Sequence, residues 1–170
     1  VARAIVVMGV TGSGKSTLGN ALAQALGWRF LEGDSLHPAS NITKMAAGVA
    51  LNDEDRLPFL RNIARAISES RPDGIVVSCS ALKRSYRDLL RMSGSDLIFV
   101  LPLLDRAHLL ARLSHRSGHF MPTSLLDSQL ATFEAPQDDE LSVQINGEDT
   151  PFEQVQQTLR ALQTLELVTI

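Results

Sequence analysis

The apolar run Ala4-Ile5-Val6-Val7-Met8 leads without a break into Gly9-Val10-Thr11-Gly12-Ser13-Gly14-Lys15-Ser16. This junction constrains the fold more than any other feature of the chain. The octapeptide fits the pattern G-x-x-x-x-G-K-[ST], a loop that wraps phosphate groups in its own backbone amides. Glycines at 9, 12 and 14 admit backbone conformations closed to other residues, so successive N–H groups can turn into one concavity. The following residues, Ser16 to Leu26, carry a helical pattern that stops at Gly27. The start of that helix adds the positive end of its dipole to the concavity. The expected nucleotide-binding set is therefore Gly9, Val10, Thr11, Gly12, Ser13, Gly14, Lys15, Ser16 and Thr17. In it the Lys15 ammonium reaches the β- and γ-phosphates, and the Ser16 hydroxyl takes a place on Mg2+.

At 170 residues the chain has the length of one domain, with 44% hydrophobic and 21% charged residues. The net charge of −3 supplies no basic field for nucleic acid, although a few local cations suffice for a small anion. One cysteine, Cys79, leaves no internal disulfide and no cysteine-built zinc site. No apolar run has the length of a membrane span, so the cytoplasm is the expected compartment.

Strand-like and helix-like segments alternate. Strands are expected at 4–8, 29–31, 74–79, 97–101 and 141–145, several of them continuous Val/Ile/Leu runs of the kind covered on both faces. Helices are expected at 15–26, 52–70, 82–92, 105–114 and 151–162. Asn52 followed by three acidic residues reads as a helix start, with Pro58 early enough to displace or bend it. The alternation implies an α/β fold with a mostly parallel five-stranded sheet between helical layers, and ligands at the carboxyl ends of its strands. Residues 35–51 read as a substrate-facing insertion within an acceptor-binding region spanning 35–62. Residues 114–136 read as a mobile lid, which would keep water from an activated γ-phosphate.

A phosphate loop does not say what happens to the nucleotide. No Gly has an Asp three residues before it and no Asn is followed by Lys, so the two motifs of a GTPase switch are missing. A compact phosphotransferase acting on a small acceptor remains. Glu32-Gly33-Asp34 follows the second strand, and in an extended segment its two carboxylates point the same way. One reaches the magnesium shell, and the other orients an acceptor hydroxyl and takes its proton. An exposed acidic turn is the bland alternative for the same residues.

The phosphate loop, Glu32-Gly33-Asp34-Ser35-Leu36-His37-Pro38, Asn41-Ile42-x-Lys44-Met45, Leu51-Asn52-Asp53-Glu54-Asp55-Arg56, Cys79-Ser80-Ala81-Leu82-Lys83, Tyr86-Arg87-Asp88-Leu89-Leu90-Arg91 and Arg116-x-Gly118-His119-Phe120 together resemble the gluconokinase family, in order and over nearly the whole chain. The resemblance implies a three-layer P-loop fold similar to shikimate and nucleoside monophosphate kinases. It also implies transfer of the ATP γ-phosphate to the 6-hydroxyl of D-gluconate, with Mg2+ as cofactor. Glu32 stands where such proteins commonly have Asp, which keeps the carboxylate on a longer arm. A homodimer is expected from resemblance alone. The competing readings are a related kinase acting on shikimate or another sugar acid, and a nucleotide-binding regulator without transfer activity.

A gluconate site needs a cation for the carboxylate and hydrogen-bonding groups for the hydroxyls. Arg56 and Arg87 are the candidate carboxylate forks. Lys83, Arg87 and Arg91 recur four apart and form one basic stripe, which reads either as ligand-facing or as a solvated face. Lys44 and His37 are acceptor candidates through the family pattern, with an exposed lysine and a turn-fixing histidine as alternatives. Arg112 is expected along the adenine face and Arg116 on the phosphates, unless either only makes a surface ion pair. With Lys15 and Asp34, Arg116 completes the expected catalytic set. His119 is expected to close over the acceptor, and the loop 146–149 to edge the adenine pocket.

Overall fold

Alternation of buried side chains along the strands sorts the core into two layers. Ala4, Val6, Met8, Ile75, Val77, Leu97, Phe99 and Leu101 enter one buried cluster, while Ile5, Val7, Val76, Ile98, Val100, Val143 and Ile145 enter another. A sheet whose side chains are buried on both faces requires helices on both, and such strands read as unbroken apolar runs. The computed structural model describes residues 3–70, 73–94, 96–115 and 123–168. Among these, strands β1 (Ala4–Val7), β2 (Arg29–Glu32), β3 (Ile75–Ser78), β4 (Leu97–Leu103) and β5 (Ser142–Asn146) form one sheet in the order β2-β3-β1-β4-β5. Each pairing is parallel.

Helices α1 (Lys15–Leu26) and α7 (Pro151–Thr164) cover one face, burying Leu18, Leu22, Val155 and Leu162. The opposite face is covered by α3 (Asp53–Glu69), α4 (Arg84–Arg91), α5 (Arg106–Ser114) and α6 (Thr123–Thr132), through Phe59, Ile63, Leu90, Leu109 and Leu126. The segment read as an insertion is ordered as a 3₁₀ turn, Gly33–Leu36, and a short helix α2, Ala39–Ala46. Helix α6 falls inside the stretch read as a lid. Asn52 caps α3 in a reciprocal box with Asp55, and Pro58 is accommodated inside the helix. No helix among the described residues is long and apolar enough to cross a membrane.

Two features carry the sheet into the site. Gly9 N–H donates to Ser80 O at 3.2 Å and Met8 N–H to Val100 O at 2.8 Å, so the loop leaves β1 held between the ends of its neighbours. Gly33 makes the other approach possible. A Cβ there would lie 2.0 Å from Ser78 O, so any side chain would force β2 and β3 apart where the acidic turn begins.

Candidate active site

Helix α1 opens without a side-chain cap and without an acidic residue in its first turn, whereas Asn52, Asp105 and Thr150 cap α3, α5 and α7. Its N-cap, Gly14, adopts the left-handed conformation, φ 84°. The first amides of α1 are thus not occupied by a side-chain cap and face the cleft, the arrangement that receives a phosphate. Lys15 Nζ donates to Val10 O at 3.0 Å across the loop. Thr11 N–H donates to Gln129 Oε1 at 2.7 Å, which brings α6 onto the phosphate loop.

One cleft at the carboxyl end of the sheet is lined by Gly12, Gly14, Lys15 and Ser16 on one side and by Asp34, His37, Arg56 and Phe59 on the other. Ser80, Ser128 and Gln129 also line it. The Asp34 carboxylate, 67% exposed, opens into this space. His37 lies behind it, its ring stacked on Phe59 with centroids 3.6 Å apart, and burial is the main cause lowering its pKa. Arg56 enters from the first turns of α3 (Asp53–Glu69), and its Nη1 donates to Leu51 O at 2.6 Å and to Tyr86 Oη at 3.1 Å. Those bonds aim the guanidinium and leave its Nε–Nη2 edge without a protein acceptor among the described residues.

Several expected residues lie elsewhere. Arg87 is 0% exposed, and its Nε and Nη2 donate to the two carboxylate oxygens of Glu140 at 2.9 and 3.0 Å. Its Nη1 donates to the carbonyls of Ala81 and Leu82. Its fork is filled from inside the protein, so the reading of Arg87 as a ligand for the acceptor carboxylate is corrected. The basic stripe of α4 is neither ligand-facing nor merely solvated, because Lys83 pairs with Asp53 and Arg91 with Asp88 and Glu140. Lys44 is held by both oxygens of Asp55, at 3.0 and 2.8 Å, and does not line the cleft.

The acidic pair also departs from expectation. Glu32 ends a strand and Asp34 sits in a 3₁₀ turn, so strand alternation does not align them. Glu32 Oε1 instead accepts from Ser78 Oγ at 2.6 Å. Ser16 lines the cleft, and no cluster of three His, Cys, Asp or Glu ligands occurs among the described residues. That donor set suits Mg2+, which usually keeps waters and is held by one or two protein groups together with substrate phosphates.

Arg112 lies across the far edge of the phosphate loop, with Nη1 3.4 Å from Ser13 O and Nη2 2.6 Å from Gly147 O. It therefore joins that loop to the 146–149 turn. Arg116 and His119 lie outside the described residues. Gln129, Ser128, Phe59 and Ser80 were not anticipated. The i, i+3, i+4 spacing of Leu125, Ser128 and Gln129 is the signal that could have found the α6 residues, in a stretch read instead as a lid. Burial pushes the Cys79 thiol up to about 12, so it offers no nucleophile.

Comparison with known proteins places this geometry. A family model described as Shikimate kinase matches residues 11–163. The chain is 46% identical over 163 residues to a gluconokinase of Gluconobacter oxydans (strain 621H), covering 95% of this chain and 92% of that protein. A crystal structure of a gluconokinase from Sinorhizobium meliloti 1021 superposes with a TM-score of 0.87 at 49% identity, covering 95% of this chain and 92% of the other. A shikimate kinase from Aquifex aeolicus shares the fold at a TM-score of 0.63 and 17% identity, covering 98% of this chain and 99% of that one.

Proposed function

The chain belongs to the shikimate-kinase-like P-loop family and, within it, to the gluconokinases, and from that premise we propose that it transfers the γ-phosphate of ATP to the 6-hydroxyl of D-gluconate. One observation carries the reading. A phosphate loop and an acceptor pocket with one carboxylate and one partly unengaged guanidinium share a single cleft.

The triphosphate lies along the amides of Gly12 to Ser16, with Lys15 on its β- and γ-phosphates. Ser16 would hold a magnesium ion bound with the nucleotide, with Glu32 at the end of β2 acting on its water shell, and the ion would supply neutralising charge to the phosphates. At the other end of the cleft the Nε–Nη2 edge of Arg56 takes the gluconate carboxylate in a bidentate pair. This sets the sugar acid's long axis and brings its 6-hydroxyl to Asp34. Asp34 orients that oxygen in line with the γ-phosphorus and accepts its proton late, since the transition state is loose and demands little base strength. Lys15 and Arg116 stabilise the charge on the moving phosphoryl group. Arg112 lies on the adenine side beside the 146–149 turn. His37 binds an acceptor hydroxyl, with His119 closing from the lid at 114–136. Lys44 orders the acceptor region, 35–62, through Asp55. A homodimer in the cytoplasm is proposed on family resemblance.

ADP release coupled to a reporter enzyme, measured across gluconate, other sugar acids, shikimate and no acceptor, tests the reading. Gluconate-dependent release is expected to dominate. Release that is equal without acceptor, or faster with shikimate, overturns it.

A further inference from the structure

Behind Asp34 runs a chain of groups whose donor and acceptor roles constrain one another. Asn41, 2% exposed, places its Nδ2 2.8 Å from the backbone carbonyl of Asp55 and 3.2 Å from His37 Nδ1. A carbonyl oxygen only accepts, so the Asn41 atom facing it is the amide nitrogen, which fixes which way the amide points. One of its two N–H groups goes to Asp55. The other lies on His37 Nδ1, which must be unprotonated to accept it. In a neutral imidazole the remaining proton then sits on Nε2. That nitrogen is 3.8 Å from Asp34 Oδ1. Turning the ring over would keep its stack on Phe59 but put a C–H where Nδ1 meets Asn41, losing that bond, and the side chain is only 7% exposed.

A separation of 3.8 Å is too long for a direct hydrogen bond. It is the right width for one oxygen lying about 2.8 Å from each group. On one side is a fixed donor and on the other a fixed acceptor. A hydroxyl, which donates and accepts at once, satisfies both. A carboxylate cannot donate to Asp34, and an ammonium cannot accept from His37.

We propose that Asn41 is a positioning residue which holds His37 as an Nε2–H donor, so that His37 and Asp34 grip one acceptor hydroxyl between them. The proposal rests on the kinase reading for the identity of that hydroxyl, and on the hydrogen-bond chain alone for the tautomer. Donation from His37 occupies one lone pair of the alcohol oxygen and leaves the other to point at phosphorus while the proton faces Asp34.

Two-bond ¹⁵N–¹H correlation of the histidine rings in the wild-type protein without ligands tests the tautomer directly. His37 is expected to carry its proton on Nε2, and a proton on Nδ1 or a mixture overturns the proposal. A kinetic cycle tests the consequence, with folding of each variant checked by thermal melts. Asn41→Ala is expected to lower kcat/KM for gluconate by about 10-fold. His37→Ala is expected to lose at least as much, and His37→Gln, which brings an amide N–H toward the same place, to recover part of it. In the His37→Gln background Asn41→Ala is expected to cost less than about 2-fold. An equal cost in both backgrounds overturns the positioning role. Failure of wild type to turn over gluconate sinks the kinase reading and leaves the ring measurement standing as a separate result.

Discussion

Arg56 reaches the cleft with one nitrogen already engaged, and Tyr86 is one of the two groups engaging it. The Tyr86 hydroxyl accepts from Arg56 and donates to Asp53, so it is tied on both sides. Removing that oxygen frees the guanidinium to swing without removing its charge. Tyr86→Phe is therefore expected to raise the KM for gluconate about 5–10-fold, the worth of one hydrogen bond, with the KM for ATP unchanged. Equal shifts in both constants would place Arg56 on the nucleotide instead. Asp34 makes the opposite separation. Its carboxylate is exposed and does not support the core, so Asp34→Asn is expected to leave ATP affinity by calorimetry near wild type. The kcat with gluconate is expected to fall by about 10²–10⁴-fold, as for loss of a positioned base. At this scale the phosphate loop was legible because its chemistry is contiguous in sequence. The aim of Arg56 was not, since it depends on Tyr86, thirty positions away on another helix.

Helix α4 shows what periodicity can and cannot say. Spacing by four assigned Lys83, Arg87 and Arg91 to one face, but whether that face meets solvent, ligand or core depends on Glu140, 53 residues further along the chain. The buried pair has a structural task. Ala81 sits at φ 44°, a conformation costly for a residue with a Cβ, and its carbonyl accepts from Arg87 Nη1 at 2.9 Å. The neighbouring Ser80 carbonyl accepts from Gly9 N–H. The Arg87–Glu140 pair thus fastens the turn after β3, whose Ser80 carbonyl meets the first residue of the loop, Gly9, and not the phosphate-facing amides of Gly12 to Ser16. Burial pushes the Glu140 pKa up, but hydrogen bonds from Arg87, the Gln137 N–H and Arg91 prevail and hold it down to about 2. A depressed carboxylate contributes stability that is complete above its unfolded pKa and is lost as pH falls through the folded one. Glu140→Gln is expected to cost about 3–5 kcal/mol at pH 7 by urea denaturation, since it leaves Arg87 buried without its counter-charge. The same substitution is expected to cost progressively less below pH 4.5, toward 2. A pH-independent difference between the two proteins would remove the ion pair from this role.

In the whole molecule the parallel sheet separates what supports the fold from what binds the ligands. Two apolar layers occupy the body of the sheet, and the phosphate loop, the acidic turn and the first turns of α3 all emerge at its carboxyl end. The strand runs and the βαβ order made this much readable in advance, because parallel pairing needs crossovers and crossovers need helices. The sheet order itself was not readable, since β1 pairs with β3 and β4 rather than with its neighbour in sequence. The separation has a thermodynamic consequence. A ligand that binds only the folded state at about 100 times its Kd adds about 2.7 kcal/mol of stability. For a chain of this length that corresponds to a Tm rise of about 5–10 °C. A non-hydrolysable ATP analogue with magnesium is expected to give wild type a rise of that size. Lys15→Ala removes a cleft cation and no core atom, so its unliganded Tm is expected to stay within about 2 °C of wild type while the rise disappears. Glu140→Gln is expected to do the reverse, lowering the unliganded Tm by about 5 °C or more and keeping most of the rise. Differential scanning fluorimetry of the three proteins with and without nucleotide measures both quantities at once. If the two substitutions shifted them together, the loop and the buried pair would be one cooperative unit, and the division of labour along the sheet would be wrong.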